Sequence, residues 1–153
     1  MTKYYNAMVV FEEIPDEITL AINITNCPCK CPGCHSKFLW SDVGTELTLE
    51  ELDRLVNENK GITCICFMGG DSDPSYINYL CSYVINKIGL RTGWYSGIDE
   101  ISDKIDLKNL NYIKIGHYDE NLGPLNKKTT NQRLFMNHDG ELTDITYRFW
   151  PNR

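Results

Sequence analysis

No apolar run in the 153-residue chain approaches the roughly 20 residues that a membrane helix needs. The longest, Ile62 to Met68, has the length of a strand and contains Thr63 and two cysteines. The first residues, Met1-Thr2-Lys3-Tyr4-Tyr5-Asn6, carry no apolar core of the kind a secretory signal has, so the expected location is the cytoplasm. Basic residues are outnumbered, 15 against 21 acidic, for a net charge of −6. That balance argues against non-specific nucleic-acid binding, which depends on Lys and Arg neutralising phosphates, and against an anionic membrane surface as partner. Repeats, linkers and low-complexity tracts are absent, so a single domain over residues 1–153 is expected. With 42% hydrophobic and 24% charged residues, the chain has the composition of a globular protein rather than a disordered one.

Cysteine, by contrast, is plentiful. Of seven cysteines, Cys27, Cys29, Cys31 and Cys34 crowd into one short segment, and Cys64, Cys66 and Cys81 stand apart. A secreted disulfide scaffold would spread an even number along a shorter chain. Crowded cysteines without an export signal read instead as metal ligands or redox thiols.

The order of elements follows from hydrophobic periodicity. Ala7 to Phe11 and Thr19 to Ile24 read as strands, the second running into the cysteine segment, where Pro28, Pro32 and Gly33 oppose regular structure. Thr48 followed by Glu51 fits a capping box, and Leu49, Leu52, Leu55 and Val56 share one helical face. Ile62 to Phe67 is a buried strand closed by Gly69-Gly70. Asp73-Pro74 opens a second helix, with Tyr76, Ile77, Leu80, Val84 and Ile88 on its apolar face and Gly89 as its stop. Arg91 to Tyr95 and Tyr112 to Ile115 are further strands, and Ile98 to Ile105 reads as a loop or a short helix. Leu134 to Met136 and Leu142 to Thr146, joined by a turn at 137–140, form a terminal hairpin. The alternation of strands and helices predicts an α/β fold with a mostly parallel sheet. Ligands gather beyond the carboxyl ends of such strands. Three unusual loops fall there: the cysteine segment after Ile24, Gly69-Gly70-Asp71 after Phe67, and Ser96-Gly97 after Tyr95.

The cysteine segment admits three readings. A structural zinc site would wrap four thiolates very tightly, and no second Cys-x-x-Cys supplies the separated pair such sites commonly use. A redox pair of Cys31 and Cys34 leaves Cys27 and Cys29 without a role. Three ligands, Cys27, Cys31 and Cys34 in a Cys-x3-Cys-x2-Cys spacing, would hold a [4Fe-4S] cluster with one iron open, since such a cube normally takes four thiolates.

That spacing, directly after a strand, resembles the signature of the radical S-adenosylmethionine (SAM) family. Pro32-Gly33-Cys34-His35-Ser36 with Trp40 downstream resembles the activating proteins of anaerobic ribonucleotide reductase. Gly69-Gly70-Asp71-Ser72-Asp73-Pro74 resembles the family's Gly-Gly-Glu-Pro segment, Tyr95-Ser96-Gly97 its aromatic-Thr-Gly turn, and Thr130-Asn131-Gln132-Arg133-Leu134 its late Asn-Gln-Arg stretch. The likeness runs from about Thr19 to Arg133, and the short chain is in keeping with it.

The resemblance implies a partial, open TIM-barrel-like fold. In it Cys27, Cys31 and Cys34 hold the cluster, and SAM binds the open iron. One-electron reduction would then yield methionine and a 5′-deoxyadenosyl radical, which takes a hydrogen from a glycine of the partner. The partner implied is the catalytic subunit of anaerobic ribonucleotide reductase, and the electron donor a reduced flavodoxin or ferredoxin. Gly33 and Cys34 would leave room for adenine, with His35 near it. Gly69, Gly70 and Asp71 would face the cationic end of SAM, Ser96 would lie beside them, and Lys114 would pair with its carboxylate. The chain departs from the family pattern at Asp71, which is one methylene shorter than the usual Glu, at the extra Cys29, and at Ser36 in place of Asn. Lys114 reads equally as a strand-end lysine facing solvent, and Gly69-Gly70-Asp71 as an ordinary strand-to-helix turn. Cys64, Cys66 and Cys81 read as core, as do Trp40 and Trp94 as core or interface anchors. Activation of another glycyl-radical enzyme such as pyruvate formate-lyase, and a non-catalytic zinc or iron-sulfur protein, are the alternatives.

Overall fold

A computed structural model of the chain describes residues 1–26, 41 and 43–150. The strands are β1 (Lys3–Val10), β2 (Thr19–Ile24), β3 (Thr45–Glu46), β4 (Cys64–Met68), β5 (Arg91–Tyr95), β6 (Tyr112–Ile115), β7 (Arg133–His138) and β8 (Glu141–Asp144). Two α-helices stand among the described residues, α1 (Leu49–Glu58) after β3 and α2 (Pro74–Tyr83) after β4. The strands form one open sheet in the order β3-β1-β2-β4-β5-β6-β7-β8.

The fold is mixed α/β, but the sheet is not mostly parallel. Its inner strands β2, β4, β5 and β6 run parallel. The remaining four of seven pairings are antiparallel. Connection length explains the difference, because a parallel step needs a crossover of about a dozen residues or more. Helices α1 and α2 supply two such crossovers. Residues 96–111, with one 3-10 turn at Leu107–Asn109, supply the third. By contrast, β7 and β8 are joined by Asp139-Gly140 alone, both at positive φ (51° and 93°), and a two-residue turn of that kind can only make an antiparallel hairpin. The segment before Thr19 joins the sheet as β1, folding back beside β2. Ile98–Ile105 is not helical; it consists of bends and turns.

Helix α1 begins where the sequence places it. The Thr48 hydroxyl accepts from the Glu51 backbone N–H at 3.0 Å. The reciprocal half of the capping box does not form, because the Glu51 carboxylate takes the Tyr4 hydroxyl (2.5 Å) and Arg54 Nε (2.6 Å) instead. These partners, Arg54 first, hold the Glu51 carboxyl down from 4.5 to about 2. Asp73 caps α2 by accepting from the Tyr76 N–H at 3.2 Å. The helix runs into a π turn, Val84–Ile88, which Gly89 ends in the left-handed conformation at φ 82°.

Alternation along the strands sorts the side chains onto two faces. Leu20, Ile22, Ile65, Phe67, Trp94 and Ile113 face α1 and α2, where Leu52, Leu55, Ile77 and Leu80 cover them. Cys64, Cys66, Tyr112 and Leu134 face the other way, against Ile14 and Ile145. Ile14 belongs to a strap, Phe11–Ile18, that crosses this second face between β1 and β2. Glu17 in the strap is buried and accepts from the Tyr112 hydroxyl and from Thr63 Oγ1, both at 2.7 Å. Cys64, Cys66 and Cys81 are fully buried, as expected of core thiols. Burial, with Glu17 nearby, pushes the Cys64 thiol up to about 12, and burial raises Cys66 well above its usual value.

Candidate functional site

The parallel strands β2, β4, β5 and β6 end on one rim, the position at which open α/β sheets collect ligands. Gly69 and Gly70 leave β4 at φ 104° and 94°, a region that side chains rarely adopt. Space confirms the need: a Cβ on Gly70 would lie 2.5 Å from Ile77 Cδ1, and one on Gly69 would lie 3.2 Å from the Ile24 carbonyl oxygen. The turn thus presses against the end of β2. The Gly69 N–H donates to the Tyr95 carbonyl at 2.9 Å, and its own carbonyl accepts from Trp94 Nε1 at 2.6 Å. The Gly69 carbonyl therefore already has an indole partner, and Trp94 is core.

Asp71 binds the neighbouring turn. Its carboxylate accepts from the Ser96 hydroxyl at 2.5 Å and from the Gly97 N–H at 2.8 Å. Two of the three loops singled out in the sequence are therefore cross-linked by one side chain. Ser96 is buried, and its N–H donates to the Lys114 carbonyl at 2.9 Å, which carries the connection on to β6.

Lys114 is buried, 7% exposed, which removes its solvent-facing reading. Its ammonium donates to the carbonyls of Ser96 and Gly116, each at 2.9 Å, and stands 5.8 Å from the centre of the Tyr95 ring. Gln132 reaches the same Gly116 carbonyl at 3.3 Å, and Asn131 donates to the His117 carbonyl at 3.1 Å. The late Asn-Gln stretch thus closes the rim beside β6. Arg133 turns away toward Asp144 (3.7 Å) and the Trp150 ring.

The third loop is the cysteine segment. Cys27, Cys29, Cys31, Gly33, Cys34, His35, Ser36 and Trp40 lie outside the described residues. What is described is where the chain departs and returns: the Asn26 N–H donates to the Ser41 carbonyl at 3.0 Å, at the carboxyl end of β2. Asn26 itself is at φ 60°. Among the described residues no group of three or more His, Cys, Asp or Glu could hold a metal ion. No helix among them is long and apolar enough to cross a membrane.

A cavity of about 330 Å³ opens beside Lys114, lined also by Glu12, Glu13, Tyr95, Leu125 and Gln132. The Glu13 Oε2 atom is buried and has no hydrogen-bond partner. The Glu13 carbonyl accepts the Tyr95 hydroxyl, and burial pushes that phenol well above its usual range. Glu13 had no signal in the sequence: Glu-Glu-Ile-Pro-Asp-Glu has neither helical nor strand periodicity, and only the crossing of the strap brings it to Tyr95.

The rim thus carries two cross-linked turns, a buried lysine and both ends of the cysteine segment. No protein-family model, no curated protein and no solved structure matches this chain.

Proposed function

We propose that the chain is a radical SAM activase that generates the glycyl radical of anaerobic ribonucleotide reductase, on an open, partial TIM-barrel-like sheet. The observation that carries this reading is the shared rim. The ends of the cysteine segment, the Gly69-Gly70-Asp71 turn, the Ser96-Gly97 turn and Lys114 meet at the carboxyl ends of four adjacent parallel strands. Strand direction alone brings loops after parallel strands to one rim; what goes beyond it is that Asp71 ties the β4 turn to Ser96 and Gly97, and that Lys114 is held against the Ser96 carbonyl.

In this reading Cys27, Cys31 and Cys34 would hold a [4Fe-4S] cluster, and Gly33, His35, Gly69, Gly70, Asp71, Ser96 and Lys114 would contribute to binding SAM. The residues suit such a guest. SAM carries an ammonium, a sulfonium and a carboxylate, and the cavity is lined by the basic Lys114 and by the acidic residues Glu12 and Glu13. Cluster and SAM together supply one-electron cleavage of a carbon–sulfur bond when bound. The chain's own contribution is placement. Asp71 fixes the distance between the β4 and β5 turns, the two carbonyls hold the Lys114 ammonium in one position, and Glu12 and Glu13 of the strap line the cavity. The partners are the catalytic subunit of the reductase and a reduced flavodoxin or ferredoxin.

Anaerobic reconstitution with iron and sulfide tests the reading. The expected product is a brown, oxygen-sensitive protein that cleaves SAM to 5′-deoxyadenosine when reduced and gives a glycyl doublet in electron paramagnetic resonance with the reductase. One tightly held zinc and no visible absorption would overturn it. A doublet on pyruvate formate-lyase but not on the reductase would replace the partner. Cys29→Ala should keep its iron; loss of iron there would reassign the ligands.

A further inference from the structure

Three segments distant in the chain meet around the cavity beside Lys114. The strap contributes Glu12 and Glu13, the loop after β6 contributes Pro124, Leu125 and Asn126, and a C-terminal 3-10 turn, Thr146–Phe149, contributes Phe149. The base of that turn is fixed to β7. Thr146 is fully buried; its Oγ1 accepts from the Leu134 N–H at 2.8 Å and donates to the Asp144 carboxylate at 2.6 Å. The tip reaches the other two segments through side chains. Arg148 Nη2 donates to Asp16 Oδ2 of the strap at 2.5 Å, and Trp150 Nε1 donates to the Leu125 carbonyl at 3.1 Å. Phe149 lies between these two residues in the chain. A four-residue 3-10 turn has little stability of its own, so the position of its tip depends on such contacts. The strap contact falls at a turn of particular backbone. The Glu17 N–H donates to the Ile14 carbonyl at 3.3 Å, with Pro15 second and Asp16 third at φ 68°. That is the pattern of a type II turn, whose third place favours Gly or Asn. Asp in that place adds a carboxylate, and Arg148 is what it meets.

We propose that the C-terminal turn is a releasable clamp on the cavity. Arg148 and Trp150 join the strap to the loop at 124–126, with Phe149 between them, and the joined walls part without unfolding of the sheet. The charges suit this arrangement. The strap carries Glu12, Glu13, Asp16 and Glu17 within six residues, and Arg148 brings a cation to it from the far end of the chain. The strength of the contacts suits release. Asp16 is 71% exposed, so solvent screens its pair with Arg148, and Trp150 adds a single hydrogen bond. Local opening draws on contacts of this kind, while the sheet beneath is held by its buried core. The clamp is a property of the cavity walls and stands or falls apart from what binds between them.

Amide hydrogen exchange followed by nuclear magnetic resonance on the full chain, without cofactor, tests this. One reporter is the Glu17 N–H in the strap. The other is the Lys127 N–H, which donates to the Pro124 carbonyl at 3.0 Å in the second wall. Trp150→Phe keeps an aromatic ring and loses the bond to Leu125, so exchange at Lys127 should rise by about 2–10-fold. Asp16→Asn keeps a residue that tolerates left-handed backbone and removes the charge, so exchange at Glu17 should rise by roughly 2–5-fold. A clamp requires in addition that each variant speeds the reporter in the wall it does not touch, by about twofold or more. Tyr147→Ser, at an exposed position on the same turn, should move neither reporter. The Ile65 and Phe67 amides of β4 should exchange as in the wild type. Faster exchange confined to the substituted wall, no change in either wall, an equal effect of Tyr147→Ser, or an equal acceleration in β4 would each overturn the proposal.

Discussion

The two faces of the sheet are built from the same strands yet obey different chemistry. Under α1 and α2 the residues are Leu, Ile, Phe and Trp, and polar atoms are few. Under the strap the same strands present Cys66, Tyr95, Tyr112 and Lys114, and Tyr95 and Lys114 line a cavity there with Glu13 of the strap. A helix can seal a face because its backbone is satisfied internally, leaving apolar side chains to fill the space. A strap without regular structure satisfies little of its own backbone, so the face beneath it must supply polar partners. Tyr95 does so for the Glu13 carbonyl, and Tyr112 pairs with the buried Glu17 side-chain carboxylate. The helix-covered face therefore carries much of the apolar core, and the strap-covered face carries the cavity.

Substitutions can break this contrast. Phe67→Ala, on the helix-covered face, should lose about 3–5 kcal/mol in urea unfolding, because a fully buried ring leaves a cavity the sheet cannot close. A loss below about 1 kcal/mol would mean that the helices do not seal that face.

On the strap-covered face the contact to test is Gly93. A Cβ there would lie 2.5 Å from Ile14 Cδ1 and 3.3 Å from Cys66 Sγ. Gly93→Ala should cost about 1–3 kcal/mol by overpacking. Ile14→Val removes the clashing methyl at a cost of about 0.5–1.5 kcal/mol on its own. The double variant should be more stable than the sum of the two losses. Simple additivity would show that the strap does not sit on β5.

The smallest effect concerns α1. Glu51 has its carboxyl held below the ordinary value, chiefly by Arg54 and then by Tyr4. A carboxyl lowered in the folded state stabilises fully above pH 4.5, and that contribution fades as pH falls through about 2. Arg54 is half exposed, so solvent screens the pair and the gain is small. The melting-temperature gap between wild type and Arg54→Ala should be open at pH 6 and narrow toward pH 2. A gap independent of pH would assign Arg54 a packing role only.

Much of the fold was legible from local chemistry. Thr48 and Asp73 mark the helix starts and Gly89 the end of the second, because caps and left-handed stops depend on neighbouring residues. The strands from Arg91 to Tyr95 and from Tyr112 to Ile115 fall where apolar runs and turns place them. Strand direction was not legible. Ala7 to Phe11 carries no sign that it folds back on β2, since period-2 alternation is the same in either direction. β3 escaped notice because two residues carry no period.

For the site, Gly69, Gly70 and Asp71 stand out in the chain because left-handed backbone and a strand-to-helix turn need those residue types. The crowding of Cys27, Cys31 and Cys34 is likewise a property of spacing, visible without coordinates. That Asp71 reaches Ser96, that Lys114 is buried between two carbonyls, and that Glu13 lies against Tyr95 depend on segments distant in sequence meeting in space. Residue type and spacing are covalent facts and can be read along one dimension. Which side chain meets which partner depends on strand order and on the path of the strap, and those are settled when the whole sheet is assembled.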